Sequence, residues 1–177
     1  MKEDIKQQLE NLLKAHDTMK QQKSEADAKK KAEQEGFLKE FSETKMAVIE
    51  SAMNEMGKEL QKHGYNYQIS KTGRRMDPQG DSSEADSISM ILIDPNKSSV
   101  RFPTIVFTAS GFAKAVLVRG QNIEDDLAES FFGKNIEGGQ AESNFGRVEL
   151  SQITDDAVHR KLLEALKIIL GTNRPGR

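Results

Sequence analysis

Ile5, Leu9, Leu12, His16 and Met19 follow one another at alternating steps of four and three, and Leu13 widens the stripe they form. That is the spacing of a heptad seam, just over two repeats long. The same register then passes through Lys23, Ala26 and Lys30, which are poor seam residues. Between Lys20 and Gly36 the chain carries no large apolar side chain. This stretch is built of Lys, Glu, Gln and Ala, all strong helix formers, with no Pro, so it predicts helix rather than linker. Glu25 and Lys29 stand at i, i+4 in the favourable order. Apolar residues return at helical spacing in Phe37–Phe41, Ile49–Met53 and Met56–Leu60. Gly36 is the local breaker, and two layouts follow from it. One is a helix running from 2 to 62. The other is a hairpin of two helices turning near Gly36.

At His63-Gly64 the period changes, and Gly64 suits the residue just past a helix end. Tyr65, Tyr67 and Ile69 alternate with polar residues and predict a strand. Residues 71–86 read as a long loop. SISMILI, TIVFTAS and FAKAVLV predict three further strands, the last two joined by a hairpin around Ser110-Gly111. Ile123, Leu127 and Phe131 predict a short helix, the stretch from Gly133 to Gly146 a loop, and GRVELSQI a last strand. Thr154 is placed to cap a final helix carrying Val158, Leu162, Leu163, Leu166 and Ile169. The expected fold is α+β. A long N-terminal helical, coiled-coil-like segment is followed by a mostly antiparallel sheet of about five strands, packed with a C-terminal helix. The expected division is a stalk over 1–36, a head over 37–171 that includes the helix 37–62, and a tail over 172–177.

Composition narrows the function classes. Charged residues make up 31% and hydrophobic residues 36%, so part of the chain is expected to lie outside a core. The net charge of −2 argues against bulk electrostatic binding to nucleic acid or an anionic membrane. There is no Cys, which removes disulfides, Cys-based zinc sites and a thiol nucleophile. The N-terminal residues show no apolar core of a signal peptide, and no apolar run approaches membrane-spanning length, so a cytoplasmic location is expected.

Motifs for chemistry are absent. No phosphate-binding glycine loop and no nucleophile elbow occur. His16, His63 and His159 have no second His or Cys nearby in sequence, so a structural role is expected for each. Asp125-Asp126 and Asp155-Asp156 read as helix-capping pairs. No catalytic residue, metal or cofactor is expected. Lys97, Arg101, Lys114 and Arg119 form a basic run followed by an acidic segment from Glu124 to Glu142. With Lys71, Arg74 and Arg75 they make up a candidate basic surface.

The favoured expectation is a non-enzymatic adaptor or chaperone-like accessory protein. It would self-associate or meet a partner through Ile5, Leu9, Leu12, Leu13 and Met19, and hold a protein partner with its head. One alternative is a nucleic-acid-associated protein using the basic segments 71–75 and 97–119, with Tyr65 and Tyr67 as stacking platforms. A second is an enzyme collecting distant residues such as Arg119, Glu149 and His159 in a cleft.

Overall fold

The computed structural model describes residues 3–73, 75–76, 82–96, 102–121 and 142–171. The chain divides into two compact units, Met1–Phe37 and Leu38–Arg177. The first unit is helical. Helix α1 spans Glu3–Thr44 with no break at Gly36, so the hairpin layout is excluded. The polar run 20–36 is helical throughout, as its Lys, Glu, Gln and Ala content dictates.

In the second unit α1 passes into a single π turn, Lys45–Ile49, and then into helix α2, Glu50–Lys62. The Glu50 N–H donates to the Lys45 carbonyl, five residues back. Sequence spacing explains the wide turn. Phe41, Lys45 and Ile49 are all buried and are spaced by fours. In a regular helix a step of eight drifts about 80° off one face. One i→i+5 turn absorbs that drift and keeps the three side chains pointing inward. Ala52, Met53, Gly57 and Leu60 then continue the buried face. Gly64, with φ +88°, ends α2, and the Gly64 and Tyr65 N–H groups donate to the Gln61 and Leu60 carbonyls.

The sheet is antiparallel, with strand order β1-β4-β5-β6-β7. Its strands are β1 (Asn66–Thr72), β4 (Ser87–Ile93), β5 (Thr104–Ser110), β6 (Ala115–Gln121) and β7 (Glu142–Val148). Strands β2 (Arg75–Met76) and β3 (Ser82–Glu84) pair separately as a small ribbon. The region 71–86 is therefore more than loop: it extends β1 by two residues and adds the ribbon. The remainder of its turn lies outside the described residues.

Register separates the two sheet faces. Lys71, Ile88, Phe107 and Val118 stand abreast, as do Ile69, Met90, Ile105 and Gly120. These rows belong to the helix-covered face, where Ile88, Met90, Leu92, Ile105, Phe107, Val116 and Val118 are buried. Helix α2 packs on β1, the π turn on β4, and helix α3 (Asp155–Ile169) on α2 and β7. Val158, Leu162, Ala165 and Leu166 are the buried side of α3. Thr154 caps α3, its side-chain oxygen accepting the Ala157 N–H.

The last strand differs from expectation. Strand β7 covers 142–148 and so takes in the last five residues of the predicted loop, while Leu150–Gln152 is a 3-10 turn instead of strand. The glycine and asparagine that read as loop serve a bulge. Gly146 has φ +100°, its N–H donates to the Asn144 side-chain oxygen at 2.9 Å, and the β6–β7 register shifts between Leu117 and Arg119. The predicted helix at 123–131 and the Asp125-Asp126 pair lie outside the described residues, as does the tail from 172.

One buried ion pair joins helix to sheet. Among the described residues, Lys45 and Asp86 are the buried charged ones, and the Lys45 ammonium donates to the Asp86 carboxylate. Lys45 Nζ also lies 3.4 Å from the Thr72 carbonyl and 5.9 Å from the centre of the Phe41 ring. Thr72 ends β1 and Asp86 leads into β4, so one ammonium ties both roots of the ribbon to the π turn. Removing one partner strands a buried charge. Asp86→Ala is expected to lower unfolding stability by about 3–5 kcal/mol. Lys45→Met combined with Asp86→Ala is expected to lose less than the sum of the single losses, as urea denaturation of all three variants would show.

Two helical glycines give a contrasting pair. A Cβ on Gly57 would fall 2.4 Å from the Tyr67 ring, whereas one on Gly36 meets nothing within 4 Å. Gly57→Ala is expected to destabilise by up to about 2 kcal/mol, because an overpacking cost of about 1–3 kcal/mol outweighs the roughly 1 kcal/mol of helix propensity that Ala supplies. Gly36→Ala carries only the propensity gain and is expected to raise helicity on heating, read by circular dichroism at the helix band.

Candidate functional site

The N-terminal seam is exposed where it is described. Leu12 is 66%, Leu13 51% and Met19 70% exposed. Every described side chain from Glu10 to Glu33 is exposed, so the apolar stripe is presented outward along α1. Ile5 and Leu9 lie on the same helix, but their side chains fall outside the described residues. His16, itself at a stripe position, has Nδ1 3.6 Å from the Asp17 carboxylate, both groups open to solvent.

Of the candidate basic surface, the described side chains are those of Lys71, Lys114 and Arg119, which stand at separate places. Lys71 stands on the helix-covered face and donates to Glu50 at 2.9 Å. Arg119 pairs with Val106 and so points from the opposite face. Lys114 belongs to the β5–β6 turn, with φ 47°. Arg75 lies in β2, where its side chain is not described, and Arg74, Lys97 and Arg101 lie outside the described residues. The acidic segment expected from Glu124 is outside them as well, apart from the strand residue Glu142. Arg119 and His159 also stand on different sides of the sheet, so the structure does not bring them to one cleft with Glu149.

Two features escaped sequence reading. The first is Phe112, 94% exposed at the β5–β6 turn. Its turn is anchored: the Arg147 guanidinium donates to the Ala113 carbonyl at 2.7 Å. A phenylalanine next to Gly111 in a strand-rich stretch reads as core, and only the turn position turns it outward.

The second is a cluster on the outer side of the two packed helices. Asp155 is the first residue of α3 and His159 follows one turn later, so the two share a helix face. Packing of α2 against α3 brings Glu55 to the same place. Glu55, Asp155 and His159 each offer a ligand atom, and these atoms lie within 4.8 Å of one another. The imidazole Nδ1 is 3.0 Å from the Asp155 carbonyl and 3.1 Å from its carboxylate, and Nε2 is 3.7 Å from the Glu55 carboxylate. His159 is 27% exposed and the two acids are more open. No sequence signal pairs the acid of one helix with the histidine of the other.

One turn beyond Glu55, Glu59 accepts a hydrogen bond from Lys62 at 2.6 Å. That bond and the ammonium charge hold the Glu59 carboxyl below its usual range. The pair is solvent-exposed and marks a surface contact, not chemistry. Among the described residues no helix is long and apolar enough to cross a membrane. Compared with protein-family models, curated proteins and solved structures, the chain matches none.

Proposed function

We propose that the chain is a non-enzymatic interaction protein whose copies associate through the N-terminal helix and whose head holds a protein partner. The observation that carries this reading is the outward stripe of Leu12, Leu13 and Met19 on a helix with every described side chain from Glu10 to Glu33 exposed. Helices in proteins owe most of their stability to packing of an apolar face. A seam with heptad spacing supports a helical partner, and a second copy of the same helix supplies complementary apolar positions. The head adds an exposed aromatic, Phe112, of the type enriched in protein contacts.

Light scattering on the full chain tests the association. A mass above that of the monomer is expected, falling to the monomer in the double variant Leu12→Asp, Met19→Asp, with the head's near-ultraviolet circular dichroism unchanged. A wild-type monomer across the micromolar range would remove self-association from the reading.

A further inference from the structure

We infer that Glu55, Asp155 and His159 form a binding site for a divalent cation of intermediate softness, of which Zn2+ is the natural probe. A backbone carbonyl only accepts hydrogen bonds, so the 3.0 Å contact from Nδ1 to the Asp155 carbonyl places a proton on Nδ1. The neutral ring then carries its lone pair on Nε2, the nitrogen that faces Glu55. This is the arrangement of a metal-binding histidine, whose other ring N–H is held by a carbonyl or carboxylate.

The distance on the Nε2 side separates a cation from a simple hydrogen bond. Nε2 and the Glu55 carboxylate are 3.7 Å apart, too far for a hydrogen bond. Two ligands of a tetrahedral zinc, each about 2.1 Å from the metal, stand about 3.4 Å apart. A cation between Nε2 and Glu55 therefore needs only a few tenths of an ångström of closure. The Glu55 carboxylate is a solvent-facing side chain with freedom to make that adjustment.

Asp155 supplies the second negative charge. At i, i+4 from His159 it shares a helix face with it, the same spacing that lets two histidines of one helix grip a zinc ion. Its carboxylate oxygen rests 3.1 Å from Nδ1, so it joins a cation on Nε2 by rotating its side chain around the ring, while its carbonyl keeps the Nδ1 proton. A fourth position stays open to water, as in sites with three protein ligands. The helix N-terminus beneath Asp155 carries partial positive charge and works against a cation. Two full carboxylate charges outweigh that half charge, yet the opposition and the exposure set a modest affinity. The nitrogen ligand selects Zn2+ over Mg2+, which prefers all-oxygen octahedral sites. Since Glu55 lies on α2 and the other two on α3, a bound cation would clamp the two helices together.

Thermal unfolding of the full chain tests the site, with ZnCl2 or MgCl2 at about 100 μM. A cation at several times its dissociation constant is expected to raise Tm by about 2–4 °C. The rise should occur with Zn2+ and not with Mg2+. It should vanish in Glu55→Gln and in His159→Gln, and persist in His16→Gln and His63→Gln, which carry the other two histidines. No rise with Zn2+ overturns the inference. So does an equal rise in Glu55→Gln, or an equal response to Mg2+, which would show a general carboxylate effect with no part for the imidazole.

Discussion

The ammonium of Lys45 has to be neutralised where it lies, and the second unit is arranged around that requirement. A buried lysine without a counter-charge is too costly to persist in a marginally stable domain. Asp86 answers it from the sheet, and the Thr72 carbonyl takes a further donor. The same contact fixes where β1 ends and β4 begins, since both anchors are at those strand ends. Asp86 is held on its other side too: its carbonyl accepts the Ala109 N–H at 2.9 Å, the next link of the β4–β5 ladder. A helix position, a strand pair and the root of a ribbon are thus settled by one side chain. The π turn belongs to the same solution, because a regular helix would rotate Lys45 or Ile49 away from the core they share with Phe41.

Beyond that point, contact between α2 and the sheet depends on a missing side chain. Gly57 lets the Tyr67 ring lie against the helix backbone, and the Tyr67 hydroxyl then reaches the Asn54 side chain at 3.2 Å. Helix propensity alone argues against a glycine at the middle of α2. Tertiary packing wins, because a large, half-buried aromatic laid against the helix is worth more than the propensity lost. Glu50 and Lys71 add a link at the first turn of the same helix, partly exposed and correspondingly weak.

Legibility in the sequence follows the range of the forces involved. The helices and strands β1, β4, β5 and β6 were readable because their burial is periodic: Ile88, Met90 and Leu92 alternate inward on β4, as their spacing requires. Strand β7 was not, because pairing with β6 rests on backbone hydrogen bonds that Ser143, Asn144 and Gly146 support without apolar alternation. The choice between a straight helix and a hairpin at Gly36 was open, since glycine permits both; Gly36 turned out to be a tolerated helical residue. Lys45 and Asp86, 41 residues apart, give no local sign of their pairing. The seam residues Leu12, Leu13 and Met19 were visible as a stripe, and only their exposure needed a structure. The Glu55, Asp155 and His159 cluster was invisible in principle, because a capping aspartate and a lone histidine look structural until the other helix adds its acid.

The polar span from Lys20 to Gly36 forms helix without a core of its own. A core would demand large apolar side chains at every third or fourth position, and the span has none. It is helical all the same, over five turns, with contacts such as Gln21 to Glu25 at 3.1 Å made within the helix itself. Each such pair contributes only a few tenths of a kcal/mol. The helix is therefore sustained by composition and by continuity with the segments on either side, not by burial. Continuity is effective because nucleation is the costly step, and residues added to an existing helix avoid it. A span of this kind stays helical in water without a partner surface. It also accounts for the high share of charge in the chain, since a stretch that buries nothing needs charged side chains to remain solvated.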